Sequence, residues 1–210
     1  MMDKDKIGKI IFWVATIGVI AGFLVWAYFQ LSKPLPGEAV EDIGAEHVTD
    51  ISKVNYNSNP PTSGAHFAVW AKRGAYDRMI SDGHLLHSLE HGYVVVSYNC
   101  DKEQAIGDKL KQMKVGPSGQ MSTFTPENPP PAEVELPQSF QSEECQEQVG
   151  ELSTLLDDYH RLIIVPRLNL DVAVAVTAWG RILKLETLDL EKIREFADTF
   201  HNAGPESTVE

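Results

Sequence analysis

The sequence predicts an α+β domain, a small mixed sheet with helices packed on it, preceded by one N-terminal transmembrane helix. Three observations lead there. Residues 10–29 are twenty in a row without a charge, and at 1.5 Å per residue a helix of that length crosses the hydrocarbon layer of about 30 Å. Residues 93–98 (YVVVSY) and 162–166 (LIIVP) are β-branched and aromatic runs, the pattern of buried strands. Residues 190–200 place Leu190, Ile193, Phe196, Ala197 and Phe200 on one helical face, with Asp189 as cap and Gly204-Pro205 as stop.

Taken in order, the chain begins with Lys4, Lys6 and Lys9 before the apolar run, against Lys33 alone just after it. That asymmetry puts the amino terminus in the cytoplasm and the rest of the chain outside it. Trp26 and Tyr28 stand at one end of the span, where interfacial aromatics sit, and no small-x-small cleavage site follows. The expectation is a retained signal anchor at a cell membrane, with a cytoplasmic stub and single span over 1–31. A tether over 32–56, an extracytoplasmic domain over 57–206 and a tail at 207–210 complete the division.

Beyond the span lie 15 basic and 28 acidic residues, a net charge of −13. Such a surface repels phosphate backbones and argues against a nucleic-acid partner. Membrane attachment is the one partner the sequence specifies; a membrane or extracytoplasmic protein partner is compatible with it. Cys100 and Cys145 are the only cysteines, and outside the cytoplasm such a pair oxidises. Bridging them stabilises the fold by about 4 kcal/mol in the chain-entropy account; two unpaired buried thiols are the alternative. No C-x-x-C motif supports a thioredoxin-type role.

Within the domain, residues 57–82 read as an ordered loop anchored by Trp70, Tyr76 and Met79. Residues 101–114 carry a helical period under an Asp101 cap, and 142–160 resume one through Cys145, Val149, Leu152, Leu156 and Tyr159. Between them, residues 115–141 hold six prolines and read as an irregular insertion. Residues 172–186 make one bent strand or a pair, with Gly180 at the bend. The first two strands are expected parallel through a helical crossover and the last pair as a hairpin.

Chemistry concentrates at 84–98, HLLHSLEHGYVVVSY. His87 and His91 stand four apart, so a helical turn sets their Cβ atoms about 5–6 Å from each other, within reach of one ion. In a strand the same pair would lie roughly 13 Å apart. A shared ion therefore requires a helix that breaks at Gly92. His66 ends the run NPPTSGAH at 59–66, whose prolines and glycine make a stiff loop able to aim one imidazole.

Four stretches, NPPTSGAH at 59–66, HSLEHGYVVVSY at 87–98, TAWGR at 177–181 and GPE at 204–206, resemble the domain of unknown function 3105 family over roughly residues 50–206. Its members look like membrane-anchored or secreted prokaryotic proteins without an established activity. The resemblance implies a shared site at His66, His87, Glu90 and His91.

The functional expectation is an extracytoplasmic transition-metal site using His66, His87 and His91, with Glu90 as ligand or as orienting partner. Imidazoles suit copper and zinc, and Met121 would favour copper if it lay nearby. Two alternatives stand beside it. His87-Ser88-Leu89-Glu90-His91 matches H-x-x-E-H, in which Glu90 would be the general base of a zinc hydrolase. A structural or assembly role, with His66 and Glu90 hydrogen-bonded in the core and Trp179 packed nearby, needs no metal.

Overall fold

A computed structural model of the chain describes residues 4–32, 34–103 and 135–206. The chain divides into two compact units, Met1–Leu35 and Pro36–Glu210. The first holds helix α1, Lys4–Leu31, of which Gly8–Phe29 is long and apolar enough to cross a membrane. Its Ile, Val, Phe and Trp side chains are exposed all round, the distribution expected of a helix meant for lipid.

The second unit is a six-stranded mixed sheet with helices on it. Strands β1 (Glu38–Ala39), β2 (Gly74–Ala75), β3 (Val94–Tyr98), β4 (Leu162–Pro166), β5 (Val174–Ala178) and β6 (Arg181–Leu185) lie in the order β1-β6-β5-β3-β4-β2. As expected, β3 and β4 are parallel, Val94 opposite Leu162, and β5 and β6 form an antiparallel hairpin turning at Trp179-Gly180. The two-residue edge strands escaped the sequence reading, because two residues carry no period. One of them lies in 32–56, the stretch read as a tether leading into the domain: β1 pairs with β6, so that stretch supplies a sheet edge.

Both faces of the central strands are buried, and the period-2 alternation assigns them. Val94, Val96, Tyr98, Leu162 and Ile164 meet α4 (Glu143–Ser153) and α5 (Leu190–Phe200) through Leu152, Ile193 and Phe196. On the other face Val95, Ile163 and Val165 meet α2 (Asp82–Glu90) through Leu85, Leu86 and Leu89. Sheet and α2 together form the floor on which the histidines stand.

Caps bear out several boundaries. Asp189 accepts from the Lys192 amide at 3.1 Å and Ser142 from the Cys145 amide at 3.2 Å. The short helix α3, Cys100–Glu103, is capped by Asn99, whose Oδ1 accepts from the Asp101 amide at 3.1 Å, and not by Asp101. The rest of the helix expected to residue 114, most of the insertion including Met121, and the tail at 207–210 lie outside the described residues.

The Sγ atoms of Cys100 and Cys145 are at bonding distance, across a sequence separation of 45. The bridge ties the start of α3, just past β3, to α4 within the core that also holds Tyr98 and Leu152. Thiol labelling of the full chain, denatured without reductant, is expected to find no free cysteine; two labelled sites would refute the bridge. Reduction should lower stability by up to about 4 kcal/mol, read as a shift in the denaturation midpoint.

Candidate metal centre

Three segments build the site. The first is the end of α2. Ser81 caps its start, and Arg167 binds Asp82 through both carboxylate oxygens, at 2.6 and 3.1 Å. The helix closes in a Schellman arrangement: the Gly92 amide bonds Leu89 at 2.9 Å and the Tyr93 amide bonds Ser88 at 3.0 Å, with Gly92 at φ +80°. The break expected at Gly92 is therefore a defined cap. His87, Glu90 and His91 occupy the last turn, all buried.

The second segment is the loop 59–66. Arg167 Nε donates to Asn59 Oδ1 at 2.9 Å, so one guanidinium holds both this loop and the start of α2. Gly64 takes φ +122°, and a Cβ there would press on Ile43 and Tyr56 at 3.0 Å. Tyr56 Oη donates to the Ala65 carbonyl at 2.8 Å. His66 emerges completely buried.

The third segment was not legible in the sequence. Residues 44–48 run beside 64–66: the Gly64 amide bonds Gly44, the His66 amide bonds Glu46 and the Val48 amide bonds His66, at 2.7 to 2.9 Å. This bridge sets His47 against His66. Its ring centroid lies 5.0 Å from that of His66 and 4.9 Å from that of His87, and it stacks on His87.

His47, His66 and His87 present ligand nitrogens that all lie within 4.8 Å of one another. The structure thus brings together two of the three expected histidines and adds His47. His91 lies outside that trio; its Nε2 meets His87 Nε2 at 2.8 Å, and its Nδ1 is 3.6 Å from Glu206 Oε2. Glu90 borders the trio, with Oε2 at 3.0 Å from His66 Nε2 and 3.8 Å from His47 Nε2. His84, in the same motif, turns away, its Nδ1 donating to the Val69 carbonyl at 2.6 Å.

Hydrogen bonding fixes which nitrogen each ring offers. His66 Nδ1 lies 2.8 Å from the Gly64 carbonyl and His87 Nδ1 lies 2.6 Å from the Phe67 carbonyl. A carbonyl only accepts, so both Nδ1 atoms carry hydrogen, and each Nε2 offers a lone pair unless a proton or cation fills it. Burial pushes the His87 imidazole down to about 4, assisted by the neighbouring His91, His66 and His47 and opposed by the bond to Phe67. His87 is therefore uncharged at neutral pH, as a metal ligand must be. The donor set fits a transition metal: two buried imidazoles in fixed tautomers, a third beside them and a carboxylate at the border. Bonds of about 2.0–2.1 Å set tetrahedral donors about 3.4 Å apart, inside the 4.8 Å within which the three histidine nitrogens lie.

Each of the four sequence motifs reaches this centre. TAWGR supplies the β5–β6 turn, where Trp179 stacks edge-on near His66 at 6.2 Å and donates to Asp42 at 2.9 Å; the Gly180 amide bonds Thr62. GPE returns from α5 to the end of α2: the Glu206 amide bonds the Glu90 carbonyl at 3.1 Å, and the Asn202 amide bonds that of Gly92 at 2.8 Å.

A family model described as "Protein of unknown function (DUF3105)" matches residues 47–142 and 138–210. No curated protein and no solved structure matches the chain.

Gly204 is where the segment after α5 touches the end of α2, and a Cβ there would lie 2.1 Å from the Glu90 carbonyl oxygen and 2.3 Å from the Gly92 nitrogen. Gly204→Ala is expected to cost about 2 kcal/mol or more, since backbone on both sides must give way. Gly150→Ala in α4, whose Cβ meets nothing within 4 Å, should hold or raise stability by up to about 1 kcal/mol. Thermal melts of the two variants check the pair; equal shifts would refute the packing at Gly204.

Proposed function

The chain belongs to the DUF3105 family, which carries no assigned activity, and we propose that it is a membrane-anchored, extracytoplasmic protein that binds copper or zinc for metal handling or sensing. The observation that carries this reading is the convergence of His47, His66 and His87. Two of these imidazoles donate Nδ1–H to backbone carbonyls, the outer bonding that orients a metal-bound histidine. Glu90 stands as the fourth donor beside them. His91 stands behind His87, where it fills the His87 lone pair in the ion-free state and becomes available as a further donor when an ion arrives. The asymmetry of lysines about α1 supports a cytoplasmic amino terminus and an outward-facing domain.

Imidazole with one carboxylate suits zinc and copper better than magnesium or calcium, which take oxygen donors. Elemental analysis of the full-length chain, purified without a histidine tag, is the direct test. One copper or zinc per chain is expected, with loss on His66→Ala or His87→Ala. A metal-free chain that also fails to take up either ion at micromolar concentration would end the reading.

The hydrolase reading asks Glu90 to act as base on a metal-bound water. Its carboxylate is instead engaged with His66 at 3.0 Å, which favours a binding role. Assays on a peptide library with zinc are expected to show no cleavage in the wild type. Zinc-dependent cleavage that disappears in Glu90→Gln, with metal still bound, would restore the peptidase reading.

A further inference from the structure

The donors around this centre differ sharply in their access to solvent. His66 is completely buried, and His87, Glu90 and His91 are each about one-twentieth exposed. The His47 side chain is 48% exposed. The mounting differs in the same sense. His87 and Glu90 sit on a capped helix braced by Arg167, Asn202 and Glu206. His66 sits on a loop held by Asn59, Tyr56 and its own bond to Gly64. His47 sits on a stretch without regular structure, joined to His66 by an isolated bridge.

Resting on the reading of this cluster as an ion site, we propose that His47 is its exchangeable ligand: the ion enters and leaves past His47, delivered to or taken by an outside donor group, while His66 and His87 stay in place. Ligand substitution at zinc or copper proceeds as an incoming donor bonds the ion and one existing bond gives way. The bond that can yield is the one whose ring can swing into water. His47 can do so by rotating its exposed side chain, whereas His66 or His87 would have to leave a carbonyl partner and open the core. In the first step the bond from the ion to His47 breaks, the lone pair stays with His47, and a bond from the incoming donor to the ion forms; the bonds to His66 and His87 then give way to further donors in the same manner before the ion departs. The ion keeps its oxidation state. Such a site hands its ion to a partner that presents nitrogen, sulfur or carboxylate donors, which a closed structural site does not do.

The test follows ion transfer from the zinc-loaded full-length chain in detergent to the chromophoric chelator 4-(2-pyridylazo)resorcinol in excess. Wild-type transfer is expected to rise in proportion to chelator concentration. His47→Ala should keep one zinc per chain and pass it on about tenfold faster or more, because a coordination position now stands open. His47→Gln, which keeps a polar side chain, should behave alike and guards against a folding defect. His87→Ala should lose the ion. Transfer at the wild-type rate in both His47 variants would overturn the proposal, and so would loss of zinc from both to the extent seen in His87→Ala, which would make His47 a fixed ligand. A wild-type chain that takes up no zinc or copper would instead remove the ion site, and this proposal with it.

Discussion

The site depends on the way α2 ends. A helix leaves its last carbonyls without partners, and burying such an end requires donors from elsewhere. Here the Glu90 carbonyl takes the Glu206 amide, the Gly92 carbonyl takes the Asn202 amide and the His91 carbonyl takes Arg161 Nη1 at 2.7 Å. Gly92 and Gly204 allow the two backbones to approach closely enough for this. The last turn of α2 carries His87 and Glu90, with His91 as its cap, so the same contact that completes the helix fixes the donors. A charged or longer side chain at either glycine would separate the two strands of backbone and swing the site apart.

How much of this was legible follows from the range of each interaction. Local rules located the later turns of α2 and its break: the spacing of His87 and His91 and the stop at Gly92 both act within one or two turns. Period and composition located the central strands and the bridge between Cys100 and Cys145. His47 was not legible. It has no neighbour at helical or strand spacing that shares its chemistry, and it reaches His66 only through backbone bonds between residues 44–48 and 64–66. Backbone bonds leave no mark in side-chain pattern. The same reason hid β1 and β2, whose two residues each are held by partners far along the chain.

The expected pairing of His87 with His91 rested on sequence spacing, and spacing measures Cβ atoms, not nitrogens. His87 and His91 do meet as neighbours on one helical face, with their Nε2 atoms 2.8 Å apart. That distance is a hydrogen bond between rings, shorter than the separation of about 3.4 Å that two tetrahedral ligands of one ion keep. A helix brings i and i+4 together; which nitrogen is turned where is settled by the carbonyls around them, here Phe67 for His87. The structural alternative also contained a true element, the His66–Glu90 contact.

These contacts give the ion-free centre a definite chemistry. With Nδ1–H of His66 and of His87 committed to carbonyls, the two Nε2 lone pairs face Glu90 and His91 respectively. A lone pair against a carboxylate repels unless hydrogen stands between them, and so does a lone pair against another ring nitrogen. In the ion-free protein hydrogen must therefore occupy both contacts. An ion bonding the same two Nε2 atoms would take the place of these hydrogen bonds, the hydrogen between His66 and Glu90 leaving as a proton and His91 keeping its own Nε2–H. Glu90 and His91 give the Nε2 atoms of His66 and His87 partners within the protein. A site with donors but no such alternative partners would leave lone pairs buried and unmatched when empty, at a cost of about 1–3 kcal/mol for each. Glu90 and His91 thus complete the hydrogen bonding of His66 and His87 whichever donors an ion would take.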